Sequence, residues 1–166
     1  MTQPTRTRTI DWHDPMQTAA GVHGKTGLQF LQAMVAGEIP VPPIMQTLAY
    51  TLTAVDQGFA RFECEPAEFH YNPIGVVHGG LACTLLDSAM GCAVMTTLDE
   101  KSAYTTVQLN VNLTRGITVN TGRLIAESRI VQRGARIAVA DGKLIDAKGT
   151  LFAHSTTTCM IMPRTA

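Results

Sequence analysis

Residues 72–98 read Asn72-Pro73-Ile74-Gly75-Val76-Val77-His78-Gly79-Gly80-Leu81-Ala82-Cys83-Thr84-Leu85-Leu86-Asp87 and then Ser88 to Leu98. From Gly79 to Leu98 the only charge is Asp87. That run reaches the length of about 20 residues that crosses a bilayer. Its composition argues otherwise: Gly, Ala, Ser, Thr and Cys dominate, and large aliphatic and aromatic side chains are few. Small residues suit a helix pressed against other backbone. A helix that is apolar nearly all round is a buried one. The stretch therefore predicts a long buried helix from Gly79 to about Leu98, and the rest of the chain has to cover it.

The flanks supply the cover. Thr26 to Gly37 predicts an amphipathic helix with Leu28, Leu31 and Val35, joined by Phe30 and Met34, on its apolar stripe. Gly37 suits its end, and Pro40, Pro42 and Pro43 forbid continuation. Met45–Val55 and Phe59–Glu65 predict two strands turned by Asp56-Gln57-Gly58. After the buried helix, Val107, Leu109, Val111 and Leu113 alternate with Gln108, Asn110, Asn112 and Thr114, a period-2 pattern. Three further strands are expected at about 122–132, 137–145 and 151–162, with turns at Gly134, Gly142 and Lys148-Gly149. Short turns between successive strands imply an antiparallel sheet. The fold class is thus α+β, and a strongly curved antiparallel sheet wrapped around the long central helix is one economical way to cover it. Residues 1–25 read as a flexible N-terminal tail, and residues 26–166 as a single domain.

Composition narrows the function. The 166 residues carry 13 Lys+Arg and 13 Asp+Glu, and 45% are hydrophobic. One domain is the size expectation. Without a basic excess, nucleic-acid binding is disfavoured, and no membrane partner is expected. The charge is uneven, because residues 1–112 hold 5 basic and 10 acidic side chains whereas residues 113–166 hold 8 and 3. Cys64, Cys83, Cys92 and Cys159 form no C-x-x-C pair. They read as buried thiols of a reducing, cytoplasmic compartment. The first 25 residues lack the apolar core of a secretory leader. His13, His23, His70 and His154 show no metal spacing, and no phosphate-cradling Gly-rich loop or G-x-S-x-G elbow occurs.

Chemistry concentrates between Asn72 and Asp87. The first N–H groups of a helix lack internal partners and carry partial positive charge. Gly79 and Gly80 would let a ligand approach that end closely, which suits a developing oxyanion. Asp87 in an apolar helix is costly unless it is paired or used. It is the candidate base or nucleophile. Gly79 and Asp87 are 8 residues apart, about 12 Å of rise and about 80° of rotation on one helix. One substrate carbonyl cannot meet both in one chain, so a homodimer with shared sites is expected.

Asn-Pro-x-Gly-x-Val-His-Gly-Gly followed by Leu-Leu-Asp resembles the PaaI-type acyl-CoA thioesterases of the hotdog superfamily. Gly27-Leu28 through Pro43-Ile44, Thr105 through Asn112, Arg133-Gly134-x-Arg136 and Asp141 through Leu144 are similar as well. The resemblance implies a hotdog fold, dimers and often tetramers, and a CoA thioester substrate with no cofactor beyond its own CoA. It implies that Gly79 donates its N–H to the thioester carbonyl, that Asn72 orients carbonyl or water, and that His78 buttresses the loop. Asp87 of the other subunit would activate water or attack directly, and Thr106, with Thr105 as neighbour, would sit near that water. Gly80, Arg133, Gly134 and Arg136 would contact the substrate, the arginines at CoA phosphates. Arg115-Gly116 departs from the Arg-Pro of many relatives. Other readings are a hotdog dehydratase or hydratase, which places its His and carboxylate differently, and a non-catalytic acyl-CoA-binding module, which has no need of Asp87. An aryl or medium-chain acyl group is open at this point. Met45, Met90 and Met95 are candidate pocket residues.

Overall fold

The computed structural model describes residues 4–164. Six strands form one antiparallel sheet: β1 (Tyr50–Asp56), β2 (Phe59–Cys64), β3 (Ser102–Leu113), β4 (Leu124–Arg133), β5 (Ile137–Asp146) and β6 (Leu151–Pro163). Their order across the sheet is β1-β2-β4-β5-β6-β3. Four helices accompany them: α1 (Pro15–Ala20), α2 (Gly27–Val35), α3 (Pro43–Leu48) and α4 (Gly79–Met95).

The buried helix is α4. It packs on β1 to β6 without exception, and Ala82, Leu85, Leu86, Ala89, Met90 and Ala93 are fully buried. The sheet face beneath it is lined by small residues, among them Ala60, Ala126, Ala138, Ala140 and Ala153. A Cβ added at Gly142 would crowd Met90 and Leu86, so helix and sheet approach to van der Waals distance there. Small residues on both surfaces explain the expectation of a close, all-round cover. No helix among the described residues is long and apolar enough to cross a membrane.

Gly142 marks no turn but lies within β5, paired with Ser128 and Ser155, and three larger sequence expectations change. Met45 does not begin a strand. Pro42 and Pro43 start α3 instead, because proline's fixed φ suits a first helical turn. The helix ends at Ala49, whose φ of 52° is left-handed, and β1 begins at Tyr50. The apolar stripe of α2 is Phe30, Leu31, Ala33 and Met34, while Val35 is exposed. Thr26 caps that helix in a reciprocal box with Gln29.

The third change lies within the expected N-terminal tail, which holds α1. Asp14 accepts from the Met16 N–H at 2.9 Å and Pro15 takes the first helical position. Thr18 is buried and its hydroxyl donates to the Pro40 carbonyl at 2.9 Å. Upstream, the Arg8 guanidinium stacks on Phe69 and donates to the carbonyls of Gln46 and Thr47. This segment packs on the domain because it has specific polar and aromatic partners.

Candidate active site

The loop Asn72–Val77 is built on its own backbone. Asn72 Oδ1 accepts from the N–H groups of Ile74 (3.0 Å) and Val76 (3.4 Å), and Gly75 takes a φ of 81°. The Asn72 side chain thus holds the turn through its oxygen. Its amide nitrogen has no hydrogen-bond partner among the described residues. Behind the loop, His70 is buried: its Nδ1 accepts from the Ala67 N–H and its Nε2 meets the Leu48 carbonyl at 2.9 Å. Both bonds require a neutral ring with its proton on Nε2. Burial, first, and the Arg8 charge hold the His70 pKa below its ordinary value, against the opposing pull of the Leu48 carbonyl.

His78 caps α4. Its Nδ1 accepts from the Gly80 N–H at 2.8 Å, which satisfies one of the orphan donors of the helix. The Gly79 N–H donates to no group among the described residues. A Cβ at Gly79 would lie 2.6 Å from Leu113 Cδ1, and one at Gly80 would lie 2.8 Å from His78 Nδ1. A side chain at either position would displace the Leu113 or the His78 side chain.

Two turns along α4, Asp87 faces β3. Thr106 Oγ1 donates to Asp87 Oδ1 at 3.1 Å, and Cys159 Sγ lies 4.0 Å from the same hydroxyl. Asp87 and Thr106 both line a cavity of about 280 Å³. Its other walls are mostly apolar and come from α1, α2, α3, β1, β2, β3 and the following turns of α4. Among the described residues that line it, Asp87 is the one carboxylate, and no Lys, Arg or His joins it. Burial pushes the Cys92 thiol up to about 12, with Asp87 adding to the effect, and raises Tyr104 well above its ordinary value. Tyr50 is raised too, by burial first, and its hydroxyl shares a 3.1 Å bond with Ser88. All three stay neutral near pH 7.

The other predicted residues fall elsewhere. Thr105 is exposed. Arg133, Gly134 and Arg136 occupy the β4–β5 turn, where the Arg133 guanidinium donates to the Gly134 carbonyl. Thr106, Cys159, Ala138 and Arg133 form one row across β3, β6, β5 and β4. Directly paired residues share a face, so Arg133 stands on the Asp87 side, about 14 Å from Thr106 at the usual strand spacing. Met45 and Met95 line the cavity, while Met90 is core. Sequence reasoning missed Tyr50, Ser88, Cys92, Tyr104 and Thr18 as lining residues. Only Ser88 and Cys92 carried a signal, being one and five residues beyond Asp87 on the same helix. No group of three His, Cys, Asp or Glu among the described residues could hold a metal ion.

Comparison with known proteins bears on the family and the fold. The Thioesterase superfamily profile matches residues 74–153. A protein of Halobacterium salinarum, provisionally named an esterase, is 37% identical over 84 residues, 49% of this chain. The chain spans about half the length of that curated relative, 54%. Among solved structures, a provisionally assigned thioesterase of Ralstonia eutropha, related to phenylacetic acid degradation, is 31% identical with a TM-score of 0.71, over 78% of this chain and 98% of its own. The Escherichia coli PaaI protein from the phenylacetic acid degradation operon superposes with a TM-score of 0.71 at 18% identity, over 82% and 94% of the two chains. That last likeness is one of fold.

Proposed function

We propose that this chain, which belongs to the thioesterase superfamily and has its hotdog fold, hydrolyses an aryl- or medium-chain acyl-CoA to a carboxylic acid and free CoA. The observation that carries the reading is Asp87, the lone carboxylate on an apolar cavity, held through one oxygen by Thr106. That bond leaves Oδ2 free for water or for the substrate.

In the general-base route, water adds to the thioester carbon while its proton passes to Asp87. The carbonyl oxygen becomes an oxyanion that accepts from the Gly79 N–H. The C–S bond then breaks, and the CoA thiolate takes the proton from Asp87. In the nucleophilic route, Asp87 itself attacks, CoA thiolate leaves, and water opens the mixed anhydride. Neither route uses a metal or redox cofactor. His78 keeps the helix end capped at Gly80, so the Gly79 donor remains available. The Asn72 amide nitrogen orients the carbonyl or the water. Gly80 lets the thioester pass close to the helix end, and Arg133, Gly134 and Arg136 meet the CoA phosphates.

Gly79 and Asp87 act in one site only if two copies share it, with Gly79 from one and Asp87 from the other. The edge strand supports that arrangement. β3 ends the sheet with one side unpaired, and Val107 and Leu113 on it are each 54% exposed. An apolar free edge is a template for another strand, so a second copy adds there. A homodimer is the working unit, and dimers of dimers follow from the same superfamily pattern. The four free thiols and the CoA substrate suit the cytoplasm.

The test is thiol release from a panel of aryl- and straight-chain acyl-CoAs. Turnover by the wild type that falls at least about 100-fold in Asp87→Asn is expected. Turnover untouched in Asp87→Asn would overturn the role of Asp87. Tight binding without turnover would mean an acyl-CoA-binding module.

A further inference from the structure

The acyl cavity has a neighbour. A second, mostly apolar cavity of about 490 Å³, open to the surface, adjoins it and is lined in part by Met16, Ala19 and Ala20 of α1. Phe30, Met95 and Tyr104 line both cavities. They are the partition between them, and they come from α2, α4 and β3.

Two of the three are fixed by glycines. A Cβ at Gly91 would lie 2.6 Å from the Tyr104 hydroxyl oxygen, so the ring rests in a notch on α4 that only glycine leaves. At Gly27 a Cβ would run into the Met95 carbonyl oxygen, and the Gly27 N–H donates to the Leu98 carbonyl at 3.0 Å. The start of α2 is thereby clamped against the end of α4, and Phe30, three residues on, is held in place. Met95 differs, being half-buried and unbranched, and it adapts most readily.

Asp87, Gly91 and Met95 are spaced by four, so they form one stripe of α4. Met95 stands about 12 Å from Asp87 along the axis. An acyl chain whose carbonyl is at Asp87 and whose tail runs along that stripe meets the partition at its far end.

We propose that Phe30, Met95 and Tyr104 are an acyl-length stop, which admits aryl and medium chains and turns away chains long enough to enter the second cavity. This rests on the thioesterase reading and adds the determinant of its substrate length. The stop works by shape alone. Among the described residues no charged group faces the acyl tail on the cavity side, and Arg164 of the second cavity is already engaged with the carbonyls of Val22 and Ser102.

The experiment measures kcat/KM for saturated acyl-CoAs from butyryl to palmitoyl, and in parallel the binding of the matching non-hydrolysable alkyl-CoA thioethers. The wild type should fall steeply between octanoyl and palmitoyl in both readouts. Met95→Ala, and Phe30→Leu as a milder core change, should raise the palmitoyl-to-octanoyl ratio about tenfold or more. Ala103 lines only the second cavity. Ala103→Leu alone should leave the profile unchanged, and in the Met95→Ala background it should cancel the gain. An unchanged profile in both partition variants would overturn the stop, as would a wild type that accepts palmitoyl as well as octanoyl. If no ester is hydrolysed but thioether binding keeps the length limit and Met95→Ala lifts it, the stop stands and the hydrolytic reading falls.

Discussion

The Thr106 hydroxyl donates to Asp87 Oδ1 across 3.1 Å, tying the middle of β3 to the middle of α4. A hydrogen bond to a charged group is worth about 1.5–3 kcal/mol. Thr106→Val should therefore lower kcat about 10- to 100-fold, with KM little changed and the fold intact. Thr106→Ser keeps the donor and should keep most of the activity. Steady-state kinetics on the best ester decides it, and equal kcat in Thr106→Val and wild type would remove Thr106 from the mechanism.

Gly79 is expected to fail by displacement. In Gly79→Ala the new methyl meets Leu113 Cδ1 at 2.6 Å, and either the exposed Leu113 side chain or the helix end must move. Loss of an oxyanion donor costs about 10²–10³ in rate, and Gly79→Ala should approach that. Shortening the obstacle in Gly79→Ala/Leu113→Ala should recover part of kcat. No recovery in the double variant would show that the methyl blocks the substrate rather than pushing the backbone.

His78 is expected to affect stability as well as rate. Removing a side-chain cap costs about 0.5–2 kcal/mol, so His78→Ala should lower Tm by about 1–8 °C in a chain of this size. His78→Asn can still accept from the Gly80 N–H and should restore most of that loss. Thermal unfolding followed by circular dichroism reads both, and a Tm unchanged in His78→Ala would show that the cap at Gly80 carries no weight.

His70 links the loop to pH. Its folded pKa lies below its ordinary value, first because of burial. Protonation favours the unfolded chain, so its contribution is fully present above the unfolded pKa of about 6.5 and is lost as pH falls through the folded value. Denaturant midpoints should drop on going from pH 7.5 to pH 5, and the drop should be smaller in His70→Gln. Parallel pH curves for the two proteins would contradict the neutral, doubly bonded ring.

Much of this was legible from residue order. A helix with one charge and many small residues has few places to go except under a sheet, and α4 is that helix. Asp87 stood out because nothing else on the helix was polar enough to compete. The start of α3 was hidden because Ile44, Met45 and Leu48 read equally as strand, and only the role of Pro42-Pro43 as a helix start separates the two. The helix within the N-terminal stretch rests on a short cap pair, Asp14-Pro15, and on Thr18 reaching Pro40, a contact between distant segments. The cavity was hidden for the same reason. Thr18, Phe30, Pro42 and Tyr104 meet only once α1, α2, the loop before α3 and β3 are assembled. No period or local motif encodes such a meeting.

The central claim is that one site takes Asp87 from one copy and Gly79 from another. Mixing two inactive proteins, Asp87→Asn and Gly79→Ala, under conditions of subunit exchange tests it most directly. A mixed dimer has one site with both defects and one with neither, so at random exchange about a quarter of wild-type activity should return. No return of activity, with mixed dimers demonstrated by native mass spectrometry, would contradict the shared site.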